Sequence, residues 1–427
     1  MCLKLFFLTS VFPVILKNWR LQCLAACEKK PYMAQINLNI NEHAAKLVAR
    51  TRAAGGLAPV NLERFWADQE RAVANPFGAD IPQVPLGILM SRECIFAELD
   101  IPETPATWHR LLHDAVWGAE VSRAYNDKSE KIVGRRLLSE SIPNPKLAYP
   151  PVKQLHDIFE ANNIWHNESY WLQQSAHGET ELQQLLDRVE QRLENLRSFI
   201  LPANWDSEKH RLIALGVQPP TYRFQRGPVT FATSVYGSED LVFLIMDNPD
   251  LAVRFRDLMI RAMLERARIL DEESGQFPHG FQFNDDNCCL LTADMYELFA
   301  YPILKTMFGH FSPTPGDRRY QHSDSAMGHL LPVLSRLNFT GVNFGPTLPV
   351  SLIRQHMPGA VIEGQLAPFT FSRNEEENIV REFLRDFEQA RAQRGLLFAT
   401  AGSINNGSRL TGMRLIMAAI QEFGRYA

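Results

Sequence analysis

Cysteine is scarce in this chain: six residues in 427, of which Cys2, Cys23 and Cys27 fall near the start and only Cys94, Cys288 and Cys289 in the body. That is too few for a disulfide framework and suits a reducing, cytoplasmic setting. Cys288 and Cys289 are sequence neighbours, so a bridge between them would be strained, and they read as a pair of small buried residues. No long basic run is present and the formal net charge is -4, which excludes a nucleic-acid-binding face. No apolar run approaches the roughly 20 residues that a membrane span needs. Internal repeats and low-complexity segments are lacking as well. What remains is an ordinary globular balance, 45% hydrophobic and 22% charged, long enough for one large barrel or two domains.

The start is irregular. Leu5 to Leu16 is apolar but broken by Thr9, Ser10 and Pro13. Leu24-Ala25-Ala26-Cys27 has the look of a lipoprotein cleavage site, yet Lys17 and Arg20 lie where an export signal stays uncharged. Residues 1–32 therefore read as a leader or a mis-assigned start, with Met33 the first residue of the fold. Residues 33–209 form an N-terminal helical segment with the first barrel elements, and 210–427 the main part of the barrel.

Apolar spacing predicts helices over Ile36–Ala54, from Thr104-Pro105 onward, and over Thr180–Ile200, with a proline-rich connector at 142–152 and a first strand within Gln83–Met90. Arg211–Val217 is a strand or a helix end. Beyond residue 210 strands and helices alternate. Thr221–Phe224 is extended, and Asn248-Pro249 opens a helix that ends near Gly275. Strands follow at Phe281–Phe283, before His322, at Gly341–Phe344, at Ala360–Glu363 and at Leu396–Ala399. The helices between them are expected over Ala293–Phe308, Ala326–Leu337, Leu348–Met357, from a capping box at Ser372–Glu375, and over Arg409–Phe423. Such alternation implies a parallel α/β sheet. Polar groups follow nearly every strand: Asn284, Asp285 and Asp286; His322 and Asp324; Asn343; Gln365; Ser403 and Asn405. Functional groups at many strand ends favour a TIM (β/α)8 barrel with an N-terminal helical extension over an open doubly wound sheet, whose contacts gather at one switch point.

Several of these pieces, in order, resemble the uroporphyrinogen decarboxylase superfamily, which includes methyltransferases acting on corrinoid proteins and thiols. They are Gly227-Pro228 with Phe231-Ala232; Asn284-Asp285-Asp286 with Tyr296-Glu297-Leu298-Phe299; His322-Ser323-Asp324 in place of a His-x-Cys or His-x-Asp turn; Glu363-Gly364-Gln365 with Pro368; and Gly424-Arg425-Tyr426. The resemblance implies a TIM barrel and an enzyme of that superfamily. The chain also departs from it. The arginine-rich motif that holds substrate carboxylates in the haem-pathway decarboxylases is missing from residues 57–100, and Ala401-Gly402-Ser403 stands where those enzymes have histidine and the zinc methyltransferases cysteine.

Two chemistries follow. In the first, a carboxy-lyase, Asp285 or Asp286 supplies a proton to a carboxylated, tetrapyrrole-like small molecule, because adjacent carboxylates in a closed site push one pKa up. Arg226 and Arg319 hold substrate carboxylates, Asn343, Gln365 and Ser403 complete the substrate contacts, and no cofactor is needed. In the second, His322 and Asp324 are two ligands of zinc or another divalent metal, with a third from Asp286, Cys288, Cys289 or Glu363, and the reaction is methyl transfer involving a corrinoid protein or a thiol. A homodimer is compatible with either. A non-catalytic binding barrel is the remaining alternative.

Overall fold

The computed structural model describes residues 30–166 and 168–426. The leader expected over residues 1–32 therefore falls almost wholly outside the described residues. Residues 30–32 belong to the helix Lys30–Ala53, which packs across the helix Glu376–Ala390. Among the described residues there are two sheets. A hairpin pairs β1 (Asn163–His166) with β2 (Ser169–Leu172) in antiparallel register. The main sheet has six parallel strands in chain order: β3 (Phe224–Arg226), β4 (Phe281–Asn284), β5 (Arg319–Ser323), β6 (Gly341–Phe344), β7 (Val361–Leu366) and β8 (Leu396–Thr400). Helices connect successive strands, as parallel pairing requires.

The strand expected within Gln83–Met90 contracts to one parallel bridge, Leu86 to Phe398 on β8, supported by Gly87 N–H to Phe398 O at 2.7 Å and Phe398 N–H to Pro85 O at 2.8 Å. Among the described residues no pairing joins Leu86 to β3. The barrel is thus strand-paired from Leu86 through β8 and back to β3, with one unpaired side.

The long helix Pro249–Ser274 is bounded as its sequence signals ask. Asn248 caps it by accepting from Leu251 N–H, and Gly275 ends it at φ 67°. Other elements depart from the sequence reading. Ala326–Leu337 is not one helix but a 3-10 turn Gly328–Leu330, a single α turn Leu331–Leu334 and a 3-10 turn Ser335–Leu337. Pro332 has no N–H to continue a ladder, and Asn338 at φ 52° ends the run. Ser372 closes a short helix, Pro368–Ser372, while the next begins at Glu376, so no capping box forms. Thr180–Ile200 is split into Gly178–Leu193 and Leu196–Ile200, and Arg211 lies in the helix Trp205–Ala214.

The core lies between the sheet and its helices. Phe283 of β4 meets Phe308 of the helix Ala293–Phe311 edge-on at 5.7 Å, and both are fully buried. Each such ring contributes about 1.5–3 kcal/mol on burial. Alternate strand residues face the other way, into the barrel, and carry the polar groups.

Candidate active site

Parallel register sets one row of inward-facing residues across four strands. Arg226 pairs with Asn284, Asn284 with His322, and His322 with Asn343. At the centre of this row His322 Nδ1 lies 2.7 Å from Asn343 Oδ1. The Asn343 amide orientation is fixed by its other bonds. Its Nδ2 donates to Thr400 O at 2.9 Å and to Glu363 O, while Oδ1 accepts from Gly402 N–H at 3.1 Å. Oδ1 therefore faces the imidazole, Nδ1 carries a proton, and Nε2 is the nitrogen turned toward the barrel mouth.

Nε2 meets two carboxylates, Asp324 Oδ1 at 3.1 Å and Asp286 Oδ1 at 3.6 Å. Burial alone would lower the His322 pKa, but the hydrogen bond and charge of Asp324, with Asp286 behind it, raise it overall. Backbone donors hold the acids in turn. Asp324 N–H donates to Asp286 Oδ1 at 3.0 Å, and Ser403 N–H to Asp324 Oδ1 at 3.3 Å. Gly402, at φ 105°, passes so near that a Cβ would lie 2.1 Å from Asp324 Oδ1, so this position needs glycine on both counts.

Asp286, His322 and Asp324 each offer a ligand atom, all within 4.8 Å of one another. Donors about 2.1 Å from a shared cation sit roughly 3.0–3.4 Å apart. Two of the separations are already close to this, and the half-exposed carboxylates have room to rotate for the third. One imidazole and two carboxylates form a hard donor set that fits zinc, manganese, iron(II) or magnesium.

The structure separates the paired aspartates. They are neighbours at a strand end and point to opposite faces. Asp286 faces the mouth, whereas Asp285 is fully buried behind the sheet. There it does the work of a helix cap. The helix Pro228–Tyr236 starts at Gly227, which has no side chain, and Asp285 Oδ1 accepts from Thr230 N–H at 2.8 Å. A Cβ on Gly227 would lie 2.1 Å from Asp285 Cβ, so two motifs far apart in sequence make one contact. Burial, opposed by the Thr230 N–H and reinforced by the Asp286 charge, pushes the Asp285 pKa up to about 7.

Other expected site residues lie elsewhere. Arg319 donates to Ser312 O at 2.6 Å and Leu337 O at 3.3 Å on the helix side of the sheet, out of reach of a substrate in the barrel. Gln365 is buried and donates to Gly345 O and Leu348 O, tying two loop segments together. Asn343 is buried too, and orients His322. Ser403 is exposed at the rim. Cys288 is buried against Ser323, and Glu363 receives the Tyr320 hydroxyl at 2.8 Å, so neither joins the cluster. Arg226 lines a cavity of about 520 Å3 that also reaches Asn284, Asp286 and the four residues of β2. Sequence reasoning missed this hairpin. Its signal was the aromatic density of Trp165, Tyr170 and Trp171 in a stretch without helical spacing.

A model of the uroporphyrinogen decarboxylase (URO-D) family matches residues 210–423, half of the chain. No curated protein matches. Among solved structures, a methyltransferase from Methanosarcina mazei superposes with a TM-score of 0.50 at 15% identity, over 83% of this chain and 98% of that one. At that identity the likeness speaks to the fold.

Proposed function

Starting from the fact that this chain belongs to the uroporphyrinogen decarboxylase family, as a divergent member with the α/β barrel fold, we propose that it is a metal-dependent enzyme whose centre is Asp286, His322 and Asp324 and whose reaction is methyl transfer to or from a small molecule. The observation that carries this reading is the convergence of three ligand atoms within 4.8 Å. A divalent cation bound there supplies Lewis acidity, which activates a thiol or improves a poor leaving group. The chain's own residues do the rest. Asn343 holds the proton on Nδ1 and so presents Nε2. Ser403 N–H aims Asp324, and the Asp324 N–H aims Asp286. A corrinoid protein or a free thiol is the methyl-transfer partner that this chemistry suits.

Decarboxylation is less well supported. That route takes its acid from Asp285 or Asp286 and its carboxylate contacts from Arg226 and Arg319; Asp286 and Arg226 line the cavity, whereas Asp285 is buried away from it and Arg319 bonds Ser312 O.

The test is metal content. Protein purified from zinc- and manganese-supplemented cells should carry close to one divalent ion per chain by elemental analysis. His322→Ala should lose it while keeping its fold. Wild-type protein that stays metal-free and gives no heat on titration with either ion would sink the proposal.

A further inference from the structure

Arg226 stands apart from the other buried arginines. Arg354, for comparison, gives its donors to five carbonyl contacts, on Met357, Pro358, Ala360, Arg394 and Gly395. The side-chain hydrogen bond that Arg226 makes among the described residues is one, Nη1 to Ser234 Oγ at 3.1 Å. No carboxylate lies within ion-pair distance of it among those residues, and the acid whose charge acts on it, Asp286, is engaged with His322 and the Asp324 N–H. Its guanidinium is half-buried, and burial pulls its pKa down. A partly desolvated cation with free donors and no ion-pair partner among the described residues is costly unless an anion meets it. Those donors border the 520 Å3 cavity that Asp286 shares with the candidate metal centre.

The other wall of that cavity is aromatic. β2 contributes Tyr170 and Trp171, and β3 contributes Phe224. Trp171 is 60% exposed and Phe224 48%. The hairpin is braced from outside. Tyr170 OH lies 2.8 Å from His113 Nε2, and Trp165 packs edge-on against His109 and His113. Trp171 sits opposite Ile164, one residue along from the braced Trp165–Tyr170 pair, and is absent from the ring stack recorded there. It is held in place at the cavity edge and left uncovered. The hairpin also lies outside residues 210–423, the part of the chain that the family model matches.

We propose that this cavity binds an aromatic anion, with its carboxylate or comparable acidic group on Arg226 and its ring between Trp171 and Phe224, so that a substituent on the ring is presented to Asp286. The hairpin is then the specificity element. Arg226 pairs with the anion in two parallel hydrogen bonds, and the ring stacks on aromatic faces, which exclude water from that pair. The volume suits a one- or two-ring acid. The inference rests on the reading of Asp286, His322 and Asp324 as the reacting centre, but its test does not.

Calorimetric titration with 4-methoxybenzoate, the neutral 4-methoxybenzyl alcohol and acetate separates the contributions. Chelator-treated wild-type protein should bind 4-methoxybenzoate at least about tenfold more tightly than either other probe. Arg226→Gln should erase the preference for the anion over the alcohol. Trp171→Ala should weaken both ring-bearing probes and leave the melting temperature unchanged, since the side chain is exposed. No heat with 4-methoxybenzoate at millimolar concentration, equal binding of the alcohol, or an unaltered Trp171→Ala titration each overturns the proposal. Zinc and manganese content is measured on the same preparations before the chelator is added. Metal bound with no preference for the aromatic anion rejects this inference alone, and the preference in protein that held no metal before chelation rejects the metal centre alone.

Discussion

Asp285→Asn tests whether this carboxylate is a cap or a catalytic acid. The asparagine keeps Oδ1 for the Thr230 N–H, so the helix Pro228–Tyr236 retains its partner. Oδ2 has no hydrogen-bond partner among the described residues, and the amide nitrogen placed there costs about 1–3 kcal/mol at every pH. The pH-dependent part is separate. The folded pKa, about 7, is raised above the ordinary 3.8. A raised acid favours the folded state when protonated. Its contribution is therefore full below 3.8 and is lost as pH rises through 7, a total of roughly 4 kcal/mol. Between about pH 5 and pH 8 the loss is on the order of 2–3 kcal/mol, and the asparagine variant does not share it. Urea unfolding of chelator-treated wild-type and variant protein at those two pH values should show the variant gaining on wild type by that amount. Stability differences that are equal at both pH values would refute a buried, protonatable Asp285. Wild-type-like turnover by the variant, per folded molecule, would place Asp285 outside the chemistry.

Gly402→Ala should displace Asp324, because the new Cβ and the Asp324 Oδ1 would be 2.1 Å apart. Zinc affinity measured by competition with a chelator should fall about 10–100-fold, whereas Gly359→Ala, with nothing within 4 Å, should leave it unchanged. Gly309 is exposed inside the helix Ala293–Phe311, and its added Cβ would meet open space. Gly309→Ala should therefore stabilise the protein by about 0.5–1 kcal/mol in urea unfolding, and a loss would contradict the helix.

Much of the barrel was legible because its signals are local. Asn248-Pro249 and Gly275 bracket a helix by capping chemistry, and Phe281-Gln282-Phe283 alternates as a half-buried strand should. The outward aim of Arg319 could have been read as well. It lies three residues before His322 on β5, an odd step, so the two must face opposite sides of the sheet. The broken run after Met327 was harder. Leu330, Val333, Leu334 and Leu337 have helical spacing and are buried, but spacing reports which side is apolar, not whether Pro332 lets one ladder continue. Asp285 and Asp286 could not be told apart without knowing where β4 ends, since either parity places one carboxylate in the mouth. The hairpin was hidden for a different reason. Its two strands bury little of their own surface, so the alternation that marks a strand in sequence is weak there.

The candidate centre follows from register more than from any motif. Arg226, Asn284, His322 and Asn343 share a row, so a ligand on Arg226 and a reacting group at His322 are separated by two strand spacings, roughly 10 Å. Two residues past Asn284 and His322, just beyond the ends of β4 and β5, come Asp286 and Asp324. The resemblance places a cysteine at this two-residue step in the zinc methyltransferases, and an aspartate there would, in the proposed centre, change the donor from soft to hard. Both carboxylates are held by backbone N–H groups, from Asp324 and Ser403. Their aim is set by the path of the chain and owes nothing to a bound ion. If the proposed centre holds a metal, these backbone bonds leave only a carboxylate rotation to complete the donor set, because most of the ordering is already part of the fold.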